Sequence, residues 1–175
     1  FARRVPLWQV RPEHEAEITE TLENSFGELA DKSGFAEALL SAARNAVEDN
    51  LPDYLSELKY YKENSLLEEL DDFNLEVAYR NAVRNSVGYM LLARCGIDPA
   101  LYFSDDDFRG VIDFDTPQVL NALGVATGAI GQMCLSKIAR TVTSLERQAG
   151  LDRTVAELPE DAYPISESKT NIQER

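Results

Sequence analysis

Residues 74–96 read NLEVAYRNAVRNSVGYMLLARCG, and Leu75, Ala78, Tyr79, Ala82, Val83, Ser86, Met90 and Ala93 recur there at steps of three and four. That is the period of a helix and not of a strand. A helix with one apolar side must bury it against other helices or a sheet. Asn74 is a candidate cap and Gly96 a candidate left-handed stop, while Arg80 and Arg84 stand four apart on another side.

The neighbouring segments supply more helices. RPEHEAEITETLENSFG places Pro12, Glu13 and Glu15 near a first turn, then Ala16, Ile18, Leu22 and Phe26 in a stripe, with Gly27 as the stop. Phe35, Leu39, Ala42, Ala43, Ala46 and Val47 mark a second helix, with Ser33 as its cap and Pro52 beyond its end. Shorter helical pieces follow: Leu55, Leu58 and Tyr61 share one face, and Leu66, Leu67 and Leu70 another. Asp115 or Thr116 caps the next segment, with Pro117 in its first turn. Gly124, Gly128 and Gly131 are expected to break it into a short helix near 117–123 and a longer one near 125–148. The small residues Ala126, Gly128, Ala129 and Gly131 permit close approach of another helix.

Two segments do not fit this period. VPLWQV, residues 5–10, alternates like a strand, but Pro6 keeps it from the middle of a sheet. Residues 151–175 are polar, carry Pro159 and Pro164, and show no helical spacing. The expected fold is all-α: a single helical bundle with an extended N-terminal segment and an irregular C-terminal tail. Residues 1–150 form the helical domain, and residues 151–175 a polar tail packed on it. The periodic segments imply roughly 55–65% helix. A chain of 175 residues can bury a sizeable core as one domain.

The chain opens on Phe1, which suggests that its natural start lies upstream, and FARRVPLWQV is not built as a signal peptide. No apolar run approaches the roughly 20 residues that span a bilayer. Cys95 and Cys134 are isolated thiols on helical patterns, which suits buried apolar positions in a reducing cytoplasm.

Charge is the strongest compositional signal. Seventeen basic and 31 acidic residues leave a net charge of −14. Such a chain repels nucleic acid and anionic membranes and is drawn to basic surfaces. The charge is concentrated: Glu48–Glu76 carries −8 and Ser104–Asp115 carries −4. The second segment, SDDDFRGVIDFD, holds Asp105, Asp106, Asp107, Asp113 and Asp115, with Arg109 among them. Ser104 can cap a helix there, with Asp107 at its third position as an acidic capping box.

Several chemistries fail on residue type. Asp105, Asp107 and Gly110 match positions 1, 3 and 6 of a calcium loop, but Arg109 falls at position 5 and Thr116 at position 12, where oxygen ligands are required. HEAEI begins like a zinc-protease helix, but the second histidine position is Ile18, and His14 is the only histidine. His14 is expected at the surface of a helix start. With one histidine and no paired cysteines a His-rich zinc site cannot be assembled, a histidine-activated nucleophile could use only His14, which nothing local supports, and Gly124, Gly128 and Gly131 form no phosphate loop. The expectation is a non-enzymatic protein with no cofactor and no metal.

VPLWQVRPEHEAEITETLENSFG, ALLSAARNAVEDNLPDYLSEL and GYMLLARCGIDPALYFSDDDFRGVIDFDTPQVLNALG resemble small proteins of plasmids, conjugative elements and phages of anaerobic gut bacteria. One group among them comprises broad-range inhibitors of type II CRISPR nucleases. The resemblance covers most of residues 5–148 and lies in overall sequence, without a catalytic signature. NSVGYMLLARCGID also resembles the helix and turn after the zinc site of antirestriction metallopeptidases, whose zinc-binding motif is missing here.

The resemblance implies a cytoplasmic anti-CRISPR protein whose partner is an RNA-guided nuclease, with its guide RNA. The alternative is an antirestriction or conjugation accessory protein, an acidic DNA mimic or adaptor. The expected contacts are Asp105, Asp106, Asp107, Asp113 and Asp115, with Glu68, Glu69, Asp71 and Asp72 as a second patch. A homodimer is a further expectation, through VPLWQV with an exposed Trp8 or through the small-residue stretch 124–131.

Overall fold

A computed structural model describes residues 7–156. Among the described residues there are five α-helices: α1 Glu15–Phe26, α2 Phe35–Asn50, α3 Pro52–Tyr61, α4 Asp72–Arg94 and α5 Pro117–Ala156. Short 3-10 segments lie at Pro12–His14, Pro99–Leu101 and Asp105–Asp113. There is no strand among the described residues, and 77% of them are helical. The all-α expectation holds. Of the extended N-terminal segment, residues 7–11 are non-helical, and Val5 and Pro6 lie outside the described residues.

α5 is the axis of the bundle. Val119, Leu123, Ala126, Ile130, Cys134, Ile138 and Val142 form a buried stripe at steps of three and four. All four other α-helices pack against it. The expected break at the glycines does not occur. A methyl group added at Gly124 or Gly128 would meet nothing within 4 Å, and one at Gly131 would meet only the Met90 side chain, at 2.6 Å from Sδ. A glycine lowers helix stability by only about 1 kcal/mol, and the continuous buried stripe outweighs that cost. The helix also continues through residues 151–156, so the boundary at residue 150 is corrected. The remainder of the expected tail, residues 157–175, lies outside the described residues.

This continuity also corrects the reading of hydropathy. Pro117–Thr154 is long and apolar enough, by length and composition, to cross a membrane, with a window of mean hydropathy 1.4. Its apolar stripe is, however, the inner face of the bundle.

α2 and α4 run antiparallel. A methyl group at Gly88 would lie 2.9 Å from Leu40 Cδ2 and 3.1 Å from Phe103 Cζ, so the helices approach closely there. Two turns away, Arg80 Nε lies 3.1 Å from Glu48 Oε1. The buried side of α4 runs through Leu75, Tyr79, Ala82, Val83, Val87, Gly88, Leu91 and Leu92. Its second half is therefore rotated away from the expected Ser86, Met90 and Ala93. Tyr79 is fully buried, and its hydroxyl donates to the Ala122 carbonyl at 2.9 Å.

Two helix starts differ from expectation, and a nearby aspartate accounts for each. Asp71, rather than Asn74, caps α4: its Oδ1 accepts from the Asn74 N–H at 2.8 Å. Gly34, rather than Ser33, precedes α2, because the Ser33 N–H donates to Asp31 Oδ1 at 2.9 Å. Thr116 serves α5, its Oγ1 accepting from the Val119 N–H at 3.4 Å. His14 is buried rather than superficial, and its Nδ1 accepts from the Arg11 N–H at 3.1 Å. Gly96 stops α4 at φ +81°, where a side chain would be strained. Residues 62–71 are turns rather than helix, with Asn64 at φ +63° and Lys62 Nζ bound to the Leu70 carbonyl at 2.7 Å. Trp8 is not free: the Arg94 guanidinium lies 3.8 Å from its ring centre and Arg94 Nη1 donates to its carbonyl at 3.2 Å. The expected exposure of Trp8 is therefore corrected to a half-buried position against Arg94.

Alanine at Gly124 or Gly128 should raise stability by about 0.5–1 kcal/mol each, because the helix gains propensity and nothing is displaced. Alanine at Gly88 should lower it by about 1–3 kcal/mol through overpacking against Leu40 and Phe103. Denaturant unfolding of the three single variants checks both signs.

Burial pushes the Cys95 and Cys134 thiols up from the ordinary value of 9.0 to about 12. The unfolded chain ionises them earlier than the folded chain does. Their contribution is complete below about pH 9 and should be lost as pH rises toward 12. Native protein at pH 8 should react with a thiol reagent far more slowly than unfolded protein, with both thiols released together on unfolding.

Candidate functional site

The Asp-rich segment is a 3-10 helix, Asp105–Asp113, held at the flank of α4. Asp107 folds back on its own start, as expected: its Oδ2 accepts from the Ser104 N–H at 2.7 Å and from Ser104 Oγ at 3.1 Å. The Asp107 carbonyl then accepts from Asn85 Nδ2 at 2.7 Å, which ties the segment to α4. Phe108 stacks edge-on against Tyr89 at 5.8 Å between ring centres, and Phe103 lies 5.5 Å from Phe108. Apolar rings thus anchor the segment while its carboxylates point outward.

The two acidic patches meet. Asp115 Oδ1 accepts from the Leu66 N–H at 2.9 Å, joining the end of the first patch to the turn that carries the second. Phe114 is buried beside that junction and lies 6.2 Å from Tyr79 between ring centres. Segments 49 residues apart in sequence are therefore tied by one bond from a backbone N–H to a carboxylate.

All nine candidate residues are exposed, yet they do not do the same work. Asp71 caps α4, and the Asn74 N–H holds its carboxyl below the usual carboxylate range. Glu68 Oε2 accepts from the Asn64 N–H at 2.9 Å and fixes the turn. Asp107 and Asp115 are bound as described above. Asp72 pairs with Lys59 at 3.1 Å, and Asp106 pairs with Arg109. Asp105, Asp113 and Glu69 take no hydrogen bond or ion pair among the described residues. The expected nine-residue contact set thus divides into structural ties, local ion pairs and three carboxylates with nothing else to do.

Among the described residues no group of three His, Cys, Asp or Glu side chains is placed to hold a metal ion. The surface clefts are shallow. One of about 240 Å³ lies between α1 and α5, lined by Glu17, Thr21, Arg140 and Thr141. Another of about 160 Å³ lies between α2 and α4, lined by Leu40, Arg44, Arg84, Asn85 and Phe103. This second cleft is a product of tertiary packing, since Arg44 and Arg84 meet only when α2 and α4 pair. The only sequence signal was the placement of Arg84 away from the apolar stripe.

Comparison of the chain with models of protein families, with curated proteins and with solved structures finds no match, so the meaning of this acidic surface rests on its own chemistry.

Proposed function

We propose that this protein is a non-enzymatic inhibitor of a type II CRISPR RNA-guided DNA endonuclease, acting in the bacterial cytoplasm. One observation carries the reading: the two acidic segments are joined through Asp115 and Leu66 into one exposed surface. The resemblance in overall sequence points to the same class of partner.

The physical basis is charge matching. Such a nuclease holds nucleic acid in basic channels and reads a short duplex motif with arginines. Guanidinium groups that receive phosphate also receive carboxylate, with two parallel bonds. Duplex DNA presents one phosphate per about 1.7 Å of axis, and consecutive carboxylates on a tight 3-10 turn approach that density. Asp105, Asp113 and Glu69 are the residues assigned to contact, because no internal bond is lost when they engage a partner. Asp71, Asp107, Asp115 and Glu68 build the surface and hold its shape. Net repulsion of nucleic acid by a chain of charge −14 agrees with a partner that is basic protein.

Replacement of Asp105 and Asp113 by Asn together with Glu69 by Gln should leave the melting temperature unchanged and weaken inhibition of DNA cleavage by about tenfold or more. Parent inhibition should fall as salt rises, since exposed charges are screened over about 10 Å at 0.1 M. Pull-down with the nuclease, with and without guide RNA, reports binding directly. A triple variant that inhibits as well as the parent at low salt would remove this surface from the mechanism. No pull-down of the parent in either state would remove the nuclease as partner. Asp71→Ala should behave differently, lowering the melting temperature because the α4 cap is lost. Because the Asp71 carboxyl is held below its usual range, the stability it contributes should be lost as pH falls through that lowered value.

A further inference from the structure

We infer that the cleft between α2 and α4 is a binding site for a dianionic oxyanion, a phosphoryl group, held between Arg44 and Arg84. The inference goes beyond the proposed function and does not depend on it.

The pairing of α2 with α4 creates the site. Leu40 meets Gly88, and Glu48 meets Arg80, in an antiparallel crossing. These contacts are eight residues apart on each helix, and the residues midway between them, Arg44 of α2 and Arg84 of α4, therefore lie beside each other. Both line one cleft of about 160 Å³ whose walls are Leu40 and Phe103. Two guanidinium groups therefore share a cleft on a chain with 31 acidic and 17 basic residues.

Neighbouring carboxylates are engaged elsewhere. Glu48, one turn from Arg44, pairs with Arg80. Glu76 pairs with Arg80 as well. The Asp107 carboxylate is turned onto Ser104, and Asn85 has already committed its Nδ2 to the Asp107 carbonyl. Arg84 has one long bond, from Nη2 to Asn81 Oδ1 at 3.3 Å. Arg44 takes no hydrogen bond or ion pair among the described residues. Arg84 is half-buried, so its charge is less well solvated than that of a surface arginine. Two adjacent cations with donors to spare repel each other until an anion sits between them. A phosphoryl group carries nearly two charges and three acceptor oxygens near neutral pH, which matches two forked donors better than a single carboxylate does. The apolar walls favour a phosphoryl group attached to an apolar or aromatic body.

The probes are inorganic phosphate, phenyl phosphate and acetate, titrated at constant ionic strength against the intact chain. Phosphate and phenyl phosphate should bind one per chain and raise the melting temperature by about 3–6 °C at tenfold above their Kd. Phenyl phosphate should bind the more tightly, and acetate should add nothing beyond chloride. Arg44→Gln, at an exposed position, should fold normally and melt no lower than the parent without ligand, because a repulsion is removed. It should lose the phosphate response, as should Arg84→Gln, while Arg140→Gln should keep it. Equal responses to acetate and phosphate, or a response that survives either Arg44→Gln or Arg84→Gln, would overturn the site. Tighter binding of inorganic phosphate than of phenyl phosphate would overturn the role of the Leu40 and Phe103 walls.

Discussion

The uninterrupted helical course of α5 is the constraint on which the other elements depend. Its stripe from Val119 to Val142 gives α1, α2, α3 and α4 one common surface. Each buried aliphatic side chain on that stripe contributes about 1.5–3 kcal/mol of transfer free energy. The three glycines along it cost about 1 kcal/mol each at most. Propensity loses to packing by a wide margin, which is why the helix does not break. A break near Gly124 would separate Val119 and Leu123 from Ile130 and Ile138 and leave α4 with half a partner.

The α2–α4 contact is second in importance and different in kind. It depends on a close approach at Gly88, where a side chain would press on Leu40 and Phe103. Phe103 belongs to the ring cluster with Tyr89 and Phe108 that anchors the Asp-rich 3-10 helix. The same approach thus sets the helix pair, seats the acidic segment and brings Arg44 beside Arg84. Packing, electrostatic surface and cleft are three consequences of one missing side chain.

Acidic residues on this molecule divide their labour. Asp71, Asp107, Asp115 and Glu68 satisfy backbone N–H groups that helix starts and turns would otherwise leave open. Carboxylates make such bonds both within a turn and between segments, so a dense acidic stretch supplies both scaffold and surface. The remaining carboxylates, Asp105, Asp113 and Glu69, inherit a fixed position from their tied neighbours. A surface held in this way has little backbone freedom left to lose on meeting a partner, compared with a mobile acidic tail.

Much of this was legible in the sequence. The all-α class, the stop at Gly96, the start at Pro117 and the Ser104–Asp107 capping box all follow from spacing and local chemistry, which act within a turn or two. So does the concentration of charge in residues 48–76 and 104–115. Tertiary structure alone decided what those local signals left open. Whether Gly124 and Gly128 break a helix depends on the packing of a stripe that runs from Val119 to Val142. Whether Asn74 or Asp71 caps α4 depends on where the preceding turn directs the chain, and Lys62 and Leu70 set that. The junction of Asp115 with Leu66 and the meeting of Arg44 with Arg84 join residues 49 and 40 positions apart. Local periodicity carries no information about such pairs, because the free energy that brings them together comes from the apolar faces of helices and not from the charged residues themselves.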